Sequence, residues 1–95
     1  FDKAAQDYKK CLNLEPSNIK AIFRLGHLYF RQNQYQKAIP YFSKTIKLNK
    51  KFAPAHYFLG VANYNINRKR QAKMNLRNAS KLGSEKAKKF LNKNF

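Results

Sequence analysis

Four cations recur one helical turn apart late in the chain: Lys69, Lys73, Arg77 and Lys81. Residues spaced by four share one face of a helix, so these would form a stripe able to pair with phosphates or carboxylates. Arg68 and Arg70 flank its start, Lys86, Lys88, Lys89 and Lys93 follow, and Glu85 is the one acid between positions 68 and 93. Like charges four apart destabilise a helix by a few tenths of a kcal/mol each, which an anionic partner would relieve. Aromatics interleaved with such a stripe would favour stacking on single-stranded bases, and this stripe has none. Contact with nucleic acid or an acidic protein is the chemistry these residues offer.

Catalytic chemistry finds little to work with. The carboxylates are Asp2, Asp7, Glu15 and Glu85. Asp2 and Asp7, five apart, do not share a helical face well, and no acid–base pair stands out. Cys11, His27 and His56 lack metal-ligand spacing. Cys11 reads as a small buried core residue and His56 as a packed core or edge histidine. The three glycines are scattered, so there is no phosphate loop. Asn78-Ala79-Ser80 is a formal glycosylation triplet, but it falls inside a predicted helix. The expectation is a chain that is not an enzyme, with no cofactor, no metal and no small-molecule substrate.

Composition narrows the rest. Ninety-five residues with 21 Lys plus Arg and 4 Asp plus Glu give a net charge of +17, and 43% of residues are hydrophobic. That is too apolar and aromatic for a disordered basic tail. Part of the charge belongs to a general richness in Lys and Asn and carries no functional weight. A single Cys excludes an internal disulfide framework and fits a reducing compartment. No apolar run approaches the length of a membrane span, and there is no secretory signal, so the expected location is intracellular, most simply cytoplasmic. The chain opens Phe1-Asp2-Lys3 without Met, as a fragment of something longer would.

The elements that position these residues come from an internal repeat. At an offset of 34, Ala4 falls on Ala38 and Ala72, Tyr8 on Phe42 and Leu76, Cys11 on Thr45 and Ala79, and Leu14 on Leu48 and Leu82. In the other half of the unit, Ala21 falls on Ala55, Leu25-Gly26 on Leu59-Gly60, Phe30 on Tyr64 and Asn33 on Asn67. Apolar residues at helical spacing predict helices over 2–14, 19–32, 35–48, 52–66, 69–81 and 84–94. Asn33 should cap a helix or take the left-handed conformation. Pro16 should stop the first helix, Pro54 should sit in a first turn, and Pro40 should bend the helix that holds it. Gly26 and Gly60, costly inside helices, mark two places where helices approach too closely for a Cβ. The units run 1–18 (the second helix of a truncated repeat), 19–52, 53–86, and 87–95 as the start of a capping or next-repeat helix. The inner face of the first helix (Ala5, Tyr8, Leu12) then needs a covering partner.

Leu25-Gly26-x-x-Tyr29 followed by Ala38-x-x-x-Phe42, with Leu59-Gly60 and Ala72-x-x-x-Leu76 behind it, resembles the tetratricopeptide repeat. Departures are Ile22 and His56 in place of Trp, Asn63 in place of the second aromatic, and Lys50 and Ser84 in place of the closing Pro; Lys69 replaces the aromatic seen at Phe1 and Tyr35. The resemblance implies an all-α, right-handed alpha-solenoid of antiparallel helix pairs, with the first helix of each pair lining a concave groove. Carried over, the groove is lined by Lys20, Phe23, Arg24, His27 and Arg31, then by Pro54, Tyr57, Phe58, Val61 and Asn65. One end is basic and the other apolar and aromatic. The implied function is a non-catalytic protein–protein interaction scaffold in a larger assembly, binding a protein or peptide of acidic or amphipathic character. Some members clamp acidic chaperone tails, in part with a Lys-x-x-x-Arg pair that Lys20 and Arg24 resemble; Pro54 and Phe58, their equivalents in the next unit, do not. The stripe falls on the convex side, and the alternative function is contact with nucleic acid, RNA in particular, through it.

Overall fold

Apolar residues at 3-4 spacing fold into six helices in the computed structural model, which describes residues 2–95. They are α1 (Asp2–Leu14), α2 (Ile19–Arg31), α3 (Tyr35–Leu48), α4 (Ala53–Asn65), α5 (Lys69–Lys81) and α6 (Glu85–Asn94), with no strand among the described residues. Phe1, and with it the aromatic match to Tyr35, lies outside the described residues. Each helix packs on the next, and α2 also meets α4. The architecture is an all-α helical repeat.

Three turns share one mechanism. Asn33 and Asn67 hold left-handed φ values of 62° and 65°, and Gly83 one of 100°. After each, the chain closes back on the helix it leaves. Gln34 N–H donates to the Tyr29 carbonyl at 2.9 Å, Arg68 N–H to Asn63 at 2.9 Å and Ser84 N–H to Ala79 at 3.0 Å. A second bond from the left-handed residue itself completes a Schellman motif in all three. The third turn departs from the period. Connections between units take four residues at 15–18 and 49–52, but 82–84 takes three, and α6 starts at Glu85. Ser84 caps it, its Oγ accepting from Ala87 N–H at 3.1 Å, as Asn18 Oδ1 accepts from Ala21 N–H at 3.0 Å. Ala87 is fully buried, like Ala55, and stands where Ala21 and Ala55 stand, only 32 residues beyond Ala55.

Pro54 lies in the first turn of α4, as expected. Pro40 does not break α3, which runs on to Leu48. Gln36 and Pro40 are both exposed, so water can serve the carbonyl that lost its donor, while Ala38 and Phe42, both fully buried, hold the helix down. The two helical glycines do mark close approaches. A Cβ on Gly26 would stand 2.9 Å from Tyr41 Cβ and 3.0 Å from Phe42 Cε1; one on Gly60 would stand 2.6 Å from Leu76 Cγ. Phe42 and Leu76, fully buried, thus use the space that the glycines vacate.

Cys11 is half-buried rather than buried, because α1 packs chiefly on α2; its Sγ accepts from Asn18 Nδ2 at 3.4 Å. Ala5 is buried, whereas Tyr8 and Leu12 are half-buried and Leu14 is 85% exposed. His56 is buried with Nε2 2.8 Å from the Lys50 carbonyl, and its Nδ1 has no partner.

The departure at Asn63 is compensated inside the core. Asn63 Nδ2 donates to Asn75 Oδ1 at 2.9 Å, between α4 and α5, with both residues buried. In the preceding unit Tyr29 and Tyr41 hold the same two places and stack with centroids 5.7 Å apart. An aromatic pair has been exchanged for a hydrogen-bonded one, both halves together.

Two stability predictions follow from this packing. Gly60→Ala forces Leu76 to move, and overpacking of about 1–3 kcal/mol exceeds the roughly 1 kcal/mol of helix propensity that Ala returns. Thermal denaturation of this variant should show a lower Tm; an unchanged or raised Tm would refute the close-packing account. Asn63→Leu or Asn75→Leu alone strands a buried amide and should cost about 1–3 kcal/mol, while the double variant should recover most of that loss. Denaturant titration of the four proteins measures the coupling.

Candidate functional site

The first helices of the pairs, α2 and α4, bring an aromatic floor to one surface. Phe58 is its hub. Its ring lies 4.9 Å from His27, 5.0 Å from Phe30, 5.1 Å from Tyr57, 5.8 Å from Phe42 and 5.9 Å from Phe23, centroid to centroid. Edge-to-face and stacked pairs in this range add about 0.5–1.5 kcal/mol each beyond area burial. Phe58, Phe23, Tyr57 and His27 are nevertheless only half-buried. They hold the helices together and present a face to solvent at once.

Two open cavities meet at this floor. One, of about 660 Å³, is walled by Ile19, Phe23, His27, Phe52 and Phe58, with Lys20 and Arg24 also in its wall. Lys20 and Arg24 are exposed and one turn apart on α2, and they also enter the wall of a neighbouring cavity beside Asp7, Tyr8 and Cys11. The other cavity, of about 580 Å³, lies between α4 and α6. Tyr57, Phe58 and Phe90 supply its apolar wall, and Lys86, Lys89 and Lys93 its charge.

The structure therefore gathers five of the sequence-derived groove residues, Lys20, Phe23, Arg24, His27 and Phe58, around one cavity, and Tyr57 with Phe58 around the next. Pro54 lines a smaller pocket with Tyr57, Phe58 and Lys86. Arg31 is exposed near His27. Val61 differs from the expectation. It is 9% exposed and packs on Leu76, Ala79 and Ala87, because the first turn of α6 covers it. Asn65 is exposed, but its Nδ2 is turned back to the Val61 carbonyl at 2.8 Å.

Lys86, Lys89 and Lys93, which the sequence pattern sets in line with the stripe, line this cavity, and with them Phe90, to which the sequence pattern gives no role. Read in line, the α6 lysines continue the α5 stripe, and a strict period of 34 sets the unit boundary at 87 although the apolar spacing already starts a helix at 84. Helix α5 and the turn after it are each one residue shorter than α3 and 49–52, so α6 starts at 85, with Lys86, Lys89 and Lys93 beside Tyr57 and Phe58. Gly83-Ser84, a left-handed residue followed by a helix cap, was the signal. The groove is thus cationic on both sides of an aromatic middle, not at one end alone.

His27 reports this field. Burial against the aromatic floor lowers its pKa below the ordinary 6.5, and Arg31, Arg24 and Lys86 lower it further. That Lys86 acts on His27 places α6 and α2 on one electrostatic surface. Burial alone raises the Tyr57 phenol above its ordinary value.

The stripe residues Arg68, Lys69, Arg70, Lys73, Arg77 and Lys81 are all exposed and line neither groove cavity. Lys69 Nζ sits 5.5 Å above the centre of the Tyr64 ring. An aromatic therefore does adjoin the stripe, supplied by α4 rather than by α5. No group of three or more His, Cys, Asp or Glu side chains that could hold a metal occurs among the described residues, and no described helix is long and apolar enough to cross a membrane.

Comparison with known proteins places this geometry. The tetratricopeptide repeat family's sequence model matches residues 19–52. A "TPR repeat-containing protein" of Borreliella burgdorferi is 31% identical over 70 residues, covering 62% of this chain; the chain spans 30% of that relative's length. The crystal structure of MamA superposes with a TM-score of 0.84 at 35% identity, over 87% of this chain and 48% of that one. The first such domain of Spaghetti (RPAP3), solved with the HSP90 peptide SRMEEVD, superposes at 0.91 with 22% identity, over 97% of this chain and 75% of that one. Residues 19–52 match the tetratricopeptide repeat directly, the flanking helices repeat its turns and packing, and the chain is similar in sequence and fold to these tetratricopeptide repeat proteins.

Proposed function

We propose that this chain is a non-catalytic protein–protein interaction scaffold whose groove holds an extended peptide with an apolar anchor at its centre and acidic residues to either side. The observation that carries this reading is the order of chemistry across the groove: Lys20 and Arg24, then Phe23, Phe58 and Tyr57, then Lys86, Lys89 and Lys93. A half-buried aromatic floor offers apolar burial without the cost of unfolding a core. Cations at both margins offer charge-assisted hydrogen bonds to carboxylates. The RPAP3 domain, a chain of this shape, is solved bound to the HSP90 peptide SRMEEVD, which supports the reading. The Lys20–Arg24 pair resembles the Lys-x-x-x-Arg part of the chaperone-tail clamp.

Titration calorimetry with the SRMEEVD peptide, and with SRMQQVN as a control without acidic side chains, tests the proposal. Arg24→Glu should weaken binding of the acidic peptide by about 10–100-fold, the range of one charged hydrogen bond lost, while leaving the fold intact. Tyr57→Ala should weaken it about tenfold. Equal affinity for the two peptides, or wild-type affinity in both variants, would refute the groove model.

His27 adds a pH signature. Its charged form is disfavoured in the free protein, and carboxylates in the groove favour it, so peptide binding takes up a proton. Affinity for SRMEEVD should therefore rise as pH falls from 7 through and below 6.5, and His27→Gln should flatten the rise. NMR titration should show the His27 pKa below 6.5 in the free protein and higher with peptide bound.

A further inference from the structure

We propose that the exposed stripe on α5 is a second binding surface, and that it takes the phosphate backbone of a nucleic acid without reading base sequence. It goes beyond the groove reading and stands on different residues. Lys69, Lys73, Arg77 and Lys81 lie about 6 Å apart along the helix axis, one per turn, and all four are exposed.

Three observations separate this stripe from a general excess of lysine. The first is position. The preceding unit carries Tyr35, Ile39 and Ser43 at the places of Lys69, Lys73 and Arg77, so basic residues stand where the repeat does not require them. The second is the absence of internal compensation. Helix α5 contains no carboxylate, and the single ion pair among the described residues, Lys88 with Glu85 at 3.4 Å, belongs to α6. The third is orientation. Arg68, Lys69 and Arg70 cluster at the start of α5, the end where the helix dipole disfavours cations. A fold that needed only solubility could have placed acids there.

The chemistry of the patch favours a polyphosphate over an acidic protein. Protein interfaces are depleted of charge at their centres and enriched in aromatic anchors, whereas nucleic-acid interfaces are polar and strongly positive. The stripe is charge from end to end, with Met74 as the exposed apolar residue on its helix. Tyr64 is engaged by Lys69 and by the rings of Phe90 and Phe95, at 5.2 and 5.6 Å, so it is not a free stacking platform. That leaves phosphate contact as the mode of recognition.

Fluorescence anisotropy with a labelled mixed-sequence 20-nucleotide RNA and its DNA counterpart tests this. With six contacts from Arg68 to Lys81, wild-type affinity for these single strands should fall about 300-fold between 50 and 200 mM salt. Lys69→Gln, Lys73→Gln and Arg77→Gln together should cut that fall to about 20-fold. These are exposed helical positions and Gln is a good helix former, so circular dichroism should be unchanged. Arg24→Glu in the groove should leave oligonucleotide binding as it was, so the two surfaces fail or succeed separately. An unaltered salt dependence in the triple variant, or no binding by wild type at 50 mM salt, would overturn the proposal. So would polyglutamate displacing the oligonucleotide at equal charge concentration, which would assign the surface to an acidic protein.

Discussion

Side chains of one helix lie against bare backbone of its partner at Gly26 and Gly60, and the rest of the fold depends on those approaches. Each lets the second helix of a pair press one large side chain, Phe42 or Leu76, against bare backbone of the first. With that distance set, the small residues Ala38, Ala72 and Ala55 become obligatory on the facing surfaces, and each is fully buried. Phe23 and Phe58 pack on Phe42 and, with Tyr57, form the groove floor.

Floor and core are therefore not separable. Phe30 packs against both buried clusters, and Phe58 touches rings from α2, α3 and α4. A ligand that buries the exposed edge of Phe58 also tightens the joint between units. Binding and stability share the same side chains, as expected where stacked units, rather than a closed core, supply cohesion. Peripheral residues such as Arg24 and Lys89 escape this coupling because they make no comparable contacts inside the fold.

Much of this was legible in the sequence, and the physical reasons are uneven. Helix positions followed from apolar spacing, and α1, α3 and α5 fall where that spacing puts them. The glycine contacts were readable because Gly is so unfavourable in a helix that its recurrence needed a packing cause. The mirrored pair Asn63–Asn75 was not readable, since one substitution looks like a defect until its partner, in the next helix, is seen to answer it. Val61 does not line the groove because α6 covers it, and the register of α6 depends on a shorter α5 and a three-residue turn through left-handed Gly83. The lysines of α6 leave the line of the α5 stripe for the same reason. A period counts residues, but a turn decides which way the next helix faces.

The exchange of Tyr29–Tyr41 for Asn63–Asn75 also bears on how such chains can be recombined. Each pair joins the first helix of a unit to the second, and neither half suits the other unit's partner. Swapping α3 for α5 would set Asn75 against Tyr29 and Tyr41 against Asn63, leaving an amide unsatisfied in each interface. Whole helix pairs can be shuffled; single helices cannot. The interchangeable module in this solenoid is the hairpin, and its seams lie in the connections between pairs, such as 49–52, rather than in the turns at Asn33 and Asn67.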